Sequence, residues 1–111
     1  IDALAVAVPT MSRERIQLLK EFRPNRVYAA LREGVTGRGT GITEGAQQFL
    51  LSLDIPMVYA GFGINSSQQV ADLSGYAYAA VIGSHITRAV GSGPDWYNQV
   101  KRAVMECIPR E

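Results

Sequence analysis

The amino-acid sequence predicts an α/β fold with a parallel sheet, on three observations. Runs rich in small and β-branched residues alternate four times with segments of helical periodicity, at intervals of about 25 residues. The first run, "ALAVAVP" at 3–9, is continuously apolar, as is typical of a strand covered on both faces. Glycine is concentrated directly after the strand-like runs, where parallel sheets carry their functional loops.

The first two strand–helix units occupy roughly the first half of the chain. After the strand at 3–9, "SRERIQLLKEF" predicts a helix with Ser12 as its N-cap and with Ile16, Leu19 and Phe22 as its apolar stripe. "RVYAALR" at 26–32 predicts the second strand, and the glycine-rich loop "EGVTGRGTGITEG" follows it. The next helix opens at Thr43 or Glu44, and its inward residues are expected to be Ala46, Phe49, Leu50 and Leu53.

The last two units have the same order. "IPMVYA" at 55–60 predicts the third strand and "GFGIN" its exit, after which Ser66 and Gln69 have the spacing of a capping box. "YAYAAVI" at 76–82 predicts the fourth strand and "GSHITRAV" a short helix. Pro94 suits the first turn of the last helix. We expect a further set to face the core: Val70, Ala71 and Leu73 in the third helix, Trp96, Val100, Val104 and Met105 in the last, and Tyr59, Tyr76 and Tyr78 in the strands.

Such alternation requires right-handed crossovers between parallel strands and leaves two architectures open. One is a small doubly wound sheet, and the other is part of a (β/α)8 barrel. A complete barrel needs about 250 residues, so four βα units would form half of one. We treat residues 1–111 as a single (βα)4 segment with its functional loops at the carboxyl ends of the strands.

Composition excludes several classes of function. The 111 residues suit one domain, and 47% hydrophobic content is enough for a core. With a net charge of +1 and scattered Lys and Arg, we expect no nucleic-acid partner. No apolar run approaches the roughly 20 residues of a membrane helix, so we expect no membrane partner either. The chain lacks a Cys/His cluster, and we expect neither a metal site nor a cofactor.

The start of the chain and its single cysteine indicate how the protein is processed and in which compartment it is located. The opening "IDALAVAVP" has no basic leader and is not expected to be a signal peptide. Because the chain begins with Ile1 rather than Met, we interpret it as a processed product or a fragment. Cys107 is the single cysteine, which excludes an intrachain disulfide and favours a reducing, cytoplasmic location. We interpret it as a semi-buried structural thiol.

Two successive strands end in glycine, and this pattern has two explanations. Gly61 and Gly63 follow the third strand, and Gly83 with Ser84 follows the fourth. Backbone N–H groups and helix N-termini at such positions bind anions, and glycine lets a phosphate approach the main chain. Alternatively, these glycines relieve packing at a tight barrel rim. Spacing alone does not choose between the two.

The sequence also resembles a known family. "VYAALREGVTG", then "GFGINSSQQV", then "VIGSHI" resemble the C-terminal half of the tryptophan synthase alpha chain, a TIM barrel. The resemblance covers essentially the whole chain, and it is the combination in this order and spacing that is specific. It implies four βα units that form the C-terminal half of a (β/α)8 barrel. It also implies that both glycine endings hold the phosphate of indole-3-glycerol phosphate.

The resemblance implies a role for particular residues at the substrate. One group would contact the indole ring or close over it, and another would bind the phosphate. The first consists of Tyr28 in the pocket wall, Phe62 over the ring, and Thr36 and Gly37 in the loop that closes over substrate; the second consists of Gly63, Gly83 and Ser84.

The family reaction cleaves indole-3-glycerol phosphate to indole and glyceraldehyde 3-phosphate, and it needs two carboxylates. In the family both come from the N-terminal half, so we expect no catalytic residue within these 111 residues. Glu33 is the one internal candidate, because it alone lies just past a strand's carboxyl end, but we interpret it as a solvated loop residue. His85 stands where a small residue is usual; it could help to bind a dianion, but we interpret it as a partly exposed spectator.

Two hypotheses of different class follow. In the first, the chain is part of a tryptophan synthase alpha chain, a cytoplasmic lyase that acts in an alpha2beta2 complex with a beta chain carrying pyridoxal phosphate. In the second, it is a non-catalytic phosphate-binding half-barrel that dimerises. The sequence that precedes Ile1 would distinguish the two hypotheses. An upstream segment with four further βα units and two carboxylates at the barrel rim would indicate the enzyme.

Overall fold

The computed structural model describes residues 4–31, 43–61 and 63–109. In this part of the chain strands and helices alternate in the predicted order, with two helices after the last strand. The elements are β1 (Ala5–Ala7), α1 (Arg13–Glu21), β2 (Arg26–Ala30), α2 (Glu44–Leu53), β3 (Met57–Gly61), α3 (Ser67–Asp72), β4 (Ala79–Val81), α4 (Ser84–Val90) and α5 (Trp96–Cys107).

The four strands form one parallel sheet in the order β1-β2-β3-β4. Each strand therefore pairs with its predecessor in the chain, and the winding direction does not reverse. A doubly wound sheet reverses its strand order at a switch point, whereas a barrel adds strands in sequence. Within the described residues, the topology is that of a barrel segment.

The hydrophobic core lies between one face of this sheet and the helices. Ala7, Ala29 and Ala60 are register partners, and all three are buried. Because side chains alternate along a strand, Val27 and Val58 project from this same face. The helix and loop residues of the same cluster include the four predicted for α2: Ala46, Phe49, Leu50, Leu53, Ile55, Ile64 and Leu73.

The other face of the sheet is only partly covered within the described residues. Val6, Tyr28, Tyr59 and Ala79 are register partners across all four strands, and none of them is buried. Val6 is 56% exposed, so the expectation that β1 is covered on both faces is not met in the described chain. In a closed barrel this face is the packed interior.

Side-chain caps begin three of the helices. The Ser12 hydroxyl accepts a hydrogen bond from the Arg15 N–H at 3.2 Å, which confirms the predicted N-cap. The Thr43 hydroxyl accepts from the Ala46 N–H at 3.2 Å, so α2 begins after Thr43 rather than at it. The Ser66 hydroxyl accepts from the Gln69 N–H at 3.2 Å.

Some sequence predictions are wrong in detail. β4 starts at Ala79 rather than at Tyr76, because the N–H groups of Tyr76 and Ala77 both donate to the Leu73 carbonyl oxygen in a turn. Phe22 is the C-cap of α1 and is 79% exposed, so it does not continue the stripe of Ile16 and Leu19. Five other residues expected in the core are exposed, namely Ala71, Tyr78, Trp96, Val104 and Met105. Helix α5 instead buries Ala103 and Cys107.

None of the helices in the described ranges combines the length and the apolarity that crossing a bilayer requires.

The open sheet face leads to a prediction about association. β1 and β4 are the edge strands of the described sheet, and unpaired edges beside an apolar face favour pairing between chains. The 111-residue chain alone is therefore expected to dimerise, aggregate or rearrange into an open sheet with helices on both faces. Sedimentation analysis and X-ray scattering measure this. A monodisperse monomer that melts cooperatively with a half-barrel sheet would contradict it.

Two equally exposed apolar residues provide the matched control. Val6 lies on the open sheet face and is 56% exposed, whereas Leu18 lies on α1 and is 55% exposed. If the sheet face drives association, Val6→Lys reduces it because the ammonium group resists burial. Leu18→Lys, which adds the same charge on a helix, leaves association unchanged.

Candidate functional site

The loops after β3 and β4 leave the same edge of the sheet. Gly61 and Val81, the last residues of the two strands, are register partners in adjacent parallel strands. Gly63 and Gly83 each lie two residues beyond that pair. The structure therefore places Gly63 and Gly83, two of the three glycines considered for phosphate binding, at the same edge of the sheet.

Gly61 has a packing role at this edge. A Cβ atom built on Gly61 would lie 2.6 Å from the Val81 carbonyl oxygen and 2.8 Å from the Val81 Cβ. Main-chain atoms of a paired strand cannot move aside easily, so β4 requires a glycine here. At this position the rim-packing explanation therefore accounts for the missing side chain.

Gly63 and Gly83 differ from Gly61, because a Cβ on either one meets no atom within 4 Å. Gly63 has φ of +76°, in the left-handed region that favours glycine. Gly83 has φ of −114° and ψ of −84°, so the sign of φ does not demand glycine there. What glycine provides at both positions is open space beside the main chain.

The loop after β4 passes directly into α4. Gly83 is the N-cap, and its carbonyl oxygen accepts hydrogen bonds from the Ile86 N–H at 3.0 Å and the Thr87 N–H at 3.1 Å. The Thr87 hydroxyl donates to the same oxygen at 3.3 Å. Ser84, the first residue of α4, is exposed. The first N–H groups of a helix have no acceptor inside it, so this turn carries donors next to the space at Gly83.

Tyr28 lies on the partly covered face of the sheet. Its register partner on β3 is Tyr59, so two aromatic residues stand side by side on adjacent strands. The Tyr59 ring also contacts the Tyr78 ring edge to face, with centroids 5.6 Å apart and ring planes at 80°. The strand pattern of the sequence predicts Tyr59 in the core, but its side chain is only partly buried. The alternation in "MVYAG" could have corrected this, because Tyr59 points opposite to the buried Val58 and Ala60.

His85 and Cys107 both lie close to Glu106 of α5. The His85 Nε2 lies 3.3 Å from the Glu106 Oε2 of α5, so the ring joins α4 to α5. Burial raises the pKa of the Cys107 thiol, and the neighbouring Glu106 carboxylate raises it further. The thiol therefore stays protonated and is a poor nucleophile, in agreement with a structural cysteine.

Several predicted site residues lie outside the described residues: Glu33, Thr36, Gly37 and Phe62. Every acidic residue in the described ranges lies in a helix or at a helix end: Glu14, Glu21, Glu44, Asp54, Asp72, Asp95 and Glu106. No cluster of three or more potential metal ligands occurs in the same ranges. The described part thus offers main-chain donors, a hydroxyl and aromatic rings, which suit an anionic ligand with a flat apolar group.

The family model and the sequence relatives that match this chain share the same name. The family model described as "Tryptophan synthase alpha chain" matches residues 1–109. The tryptophan synthase alpha chain of Mycobacterium avium is 32% identical over an aligned length of 97 residues, and the match covers 84% of this chain and 35% of the relative. That of Dictyoglomus turgidum is 27% identical over an aligned length of 112 residues, and the match covers 95% of this chain and 44% of the relative.

Solved structures agree with the sequence relatives. In a structure of the tryptophan synthase alpha2beta2 complex from the hyperthermophile Pyrococcus furiosus, a chain matches with a TM-score of 0.80 and 25% identity. The match covers 96% of this chain and 45% of that one. A structure of the tryptophan synthase alpha-subunit from the same organism matches over 96% of this chain and 44% of that one. Its TM-score of 0.76 at 24% identity supports the fold.

These matches confirm the predicted fold class, βα units of a TIM barrel. The chain spans between a third and a half of the length of the relatives that it matches. The family model covers nearly all of it, in the order of strands and helices that the structure has. The chain belongs to the tryptophan synthase alpha chain family.

Proposed function

We propose that this chain supplies the phosphate site and part of the indole-binding wall of a lyase that cleaves indole-3-glycerol phosphate. The observation that carries the proposal is that Gly63 and Gly83 follow the carboxyl ends of two adjacent strands, each beside open space, in a chain of this family. A phosphate dianion in that space would accept hydrogen bonds from main-chain N–H groups of both loops and from the Ser84 hydroxyl.

The aromatic residues extend this site along the sheet. In the proposal, Tyr28 lines the indole pocket, and Tyr59 beside it continues the same wall. Phe62 covers the ring, and Thr36 and Gly37 belong to the loop that closes over the substrate. The flat indole ring would be stabilised by edge-to-face and offset contacts with these aromatic side chains.

The chemical step needs groups that we assign to residues upstream of this segment. Carbon–carbon cleavage requires a proton for the indole ring and removal of a hydroxyl proton from the glycerol chain. The described carboxylates lie in helices and at helix ends. We therefore propose that residues 1–111 form the C-terminal (βα)4 segment of the enzyme and that a preceding half supplies both carboxylates.

The partner and the location follow the family. The alpha2beta2 assembly of the P. furiosus relative supports a beta chain as the partner of the complete protein. The single cysteine favours a reducing compartment, so we propose a cytoplasmic enzyme of tryptophan biosynthesis. This segment itself would hold no cofactor.

A second candidate function is a non-catalytic half-barrel that dimerises and binds phosphate. It is favoured by the coverage of less than half of each relative together with the open sheet face around Val6. A second copy of the segment would supply four more βα units and cover that face. The two functions differ in indole formation, which only the first includes.

A glycine-to-valine change tests the phosphate site. Gly83→Val places a branched side chain in the space proposed for the anion. The affinity for glycerol phosphate, measured by isothermal titration calorimetry, is expected to fall by about tenfold or more, equivalent to about 1.4 kcal/mol. An unchanged affinity would remove the phosphate assignment.

Gly75→Val is the matched control for this experiment. Gly75 also has no atom within 4 Å of its Cβ position, but it precedes β4, at the opposite end of the strand from Gly83. The same substitution there is expected to leave glycerol phosphate binding unchanged. Equal losses in both variants would indicate a general effect on folding rather than a site at Gly83.

A further inference from the structure

The loop after β3 is tied down by a buried glutamine. Gln69 is the polar side chain that the described fold buries, with 7% exposed. Its Oε1 accepts a hydrogen bond from the Asn65 N–H at 2.7 Å, and its Nε2 donates to the Gly63 carbonyl oxygen at 3.4 Å. A buried amide that satisfies two backbone groups of one loop restrains both of them.

This arrangement is not the capping box that the sequence predicts. In a capping box the residue at this position accepts from the N–H of the N-cap itself, which here is Ser66. The Gln69 side chain instead reaches past Ser66 to Asn65 and Gly63. A glutamate could accept from the Asn65 N–H but, when ionised, could not donate to the Gly63 carbonyl. At a pH where a carboxyl group is ionised, the contact to Gly63 therefore requires an amide.

Holding the Gly63 carbonyl has a consequence for the N–H groups of the loop. Because the peptide bond is planar and trans, the Ile64 N–H points opposite to the Gly63 C=O, and so away from Gln69. Gly63 has φ of +76° and its Cβ side is open, so the residue itself restricts the main chain little. The Ile64 side chain is buried in the core, which restrains the loop as well.

We propose that Gln69 is a positioning residue for the phosphate loop: by holding the Asn65 N–H and the Gly63 carbonyl, it directs the main-chain N–H groups of Gly63 and Ile64 toward the anion. The inference rests on the proposed phosphate site. Gln69 contacts the loop and not the ligand. Its contribution is that the donors are already oriented before the anion arrives, which reduces the ordering cost of binding.

Gln69→Glu tests the donor half of this contact, with sulfate as the probe because it keeps two negative charges across the pH range used. Sulfate binding to the complete gene product is followed by amide chemical shifts of Gly63 and Gly83. At about pH 8 the carboxylate repels the Gly63 carbonyl, and binding is expected to weaken about tenfold. Burial raises the pKa of such a carboxyl, so at about pH 5 it is protonated, donates again and restores affinity.

Gln69→Met and Gln68→Glu separate positioning from charge. Methionine is about as long as glutamine and uncharged, but it has neither hydrogen bond, so it is expected to weaken sulfate binding at both pH values. Gln68 is the exposed neighbour on the same helix, and its Nε2 bonds Asp72 at 2.9 Å. Gln68→Glu adds the same charge one residue away and is expected to change sulfate binding by less than about twofold, a small effect for an exposed charge.

The outcomes distinguish this inference from the function on which it rests. If the unaltered protein binds no sulfate at these loops, the phosphate site fails and the positioning role falls with it. If the unaltered protein binds sulfate, and Gln69→Glu and Gln69→Met bind it equally well at both pH values, the phosphate site stands and the positioning role is wrong. A loss in Gln69→Glu that persists at about pH 5 while Gln69→Met binds normally also overturns it.

Discussion

The 111-residue chain by itself is expected to release no measurable indole from indole-3-glycerol phosphate. The two proton transfers need carboxyl groups within about 2.6–3.2 Å of the reacting atoms. A phosphate site and an aromatic wall bind the ground state and the transition state alike, and such uniform binding does not raise the rate of the chemical step. A longer gene product that contains the remaining βα units and two rim carboxylates is expected to be active.

Glu33 provides the internal check on this prediction. Indole release is measured with the purified 111-residue chain and with its Glu33→Gln variant, which keeps the side-chain shape and removes the charge. Activity in the first that vanished in the second would show that a working carboxylate lies within this segment. Activity that persisted equally in both would indicate a contaminating enzyme. The longer gene product serves as the positive control.

The second large effect concerns Gly61, where the close approach of β4 leaves no room for a side chain. Gly61→Ala places a methyl group 2.6 Å from the Val81 carbonyl oxygen, and the paired strands must move apart to admit it. The free energy of unfolding is expected to fall by about 1–3 kcal/mol, as for other overpacked sites. Thermal or denaturant unfolding of the complete gene product measures the loss.

Gly75→Ala is the matched control for the same measurement. A Cβ at Gly75 meets nothing within 4 Å, so the change is expected to leave stability unchanged or to raise it by up to about 1 kcal/mol, through reduced freedom of the unfolded chain. If Gly61→Ala is as well tolerated as Gly75→Ala, β3 and β4 do not approach as closely as the structure indicates. Gly61 would then again be a candidate residue for phosphate binding, because the space beside it would be open to the ligand.

The sequence by itself determined the order of strands and helices, the inward face of α2 and the family. Apolar periodicity identifies the buried face of a helix when every apolar residue at that spacing packs into the core, as Ala46, Phe49, Leu50 and Leu53 do in α2. It was wrong for Phe22 and for Trp96, Val104 and Met105, because their exposure depends on which elements pack beside them. It also made β4 too long, since strand propensity does not detect the turn that Leu73 closes.

Only the tertiary structure decided which role each glycine and each polar residue has at the site. Gly61, Gly63 and Gly83 are alike in sequence, yet the first faces Val81 and the other two face open space. Gln69 had the spacing of a capping box, but its amide holds Gly63 and Asn65 instead. The physical reason is that these properties depend on what another segment places nearby, and local sequence does not encode a neighbour's position. The sequence therefore determined that two glycine loops follow adjacent strands, and the fold decided what each glycine does there.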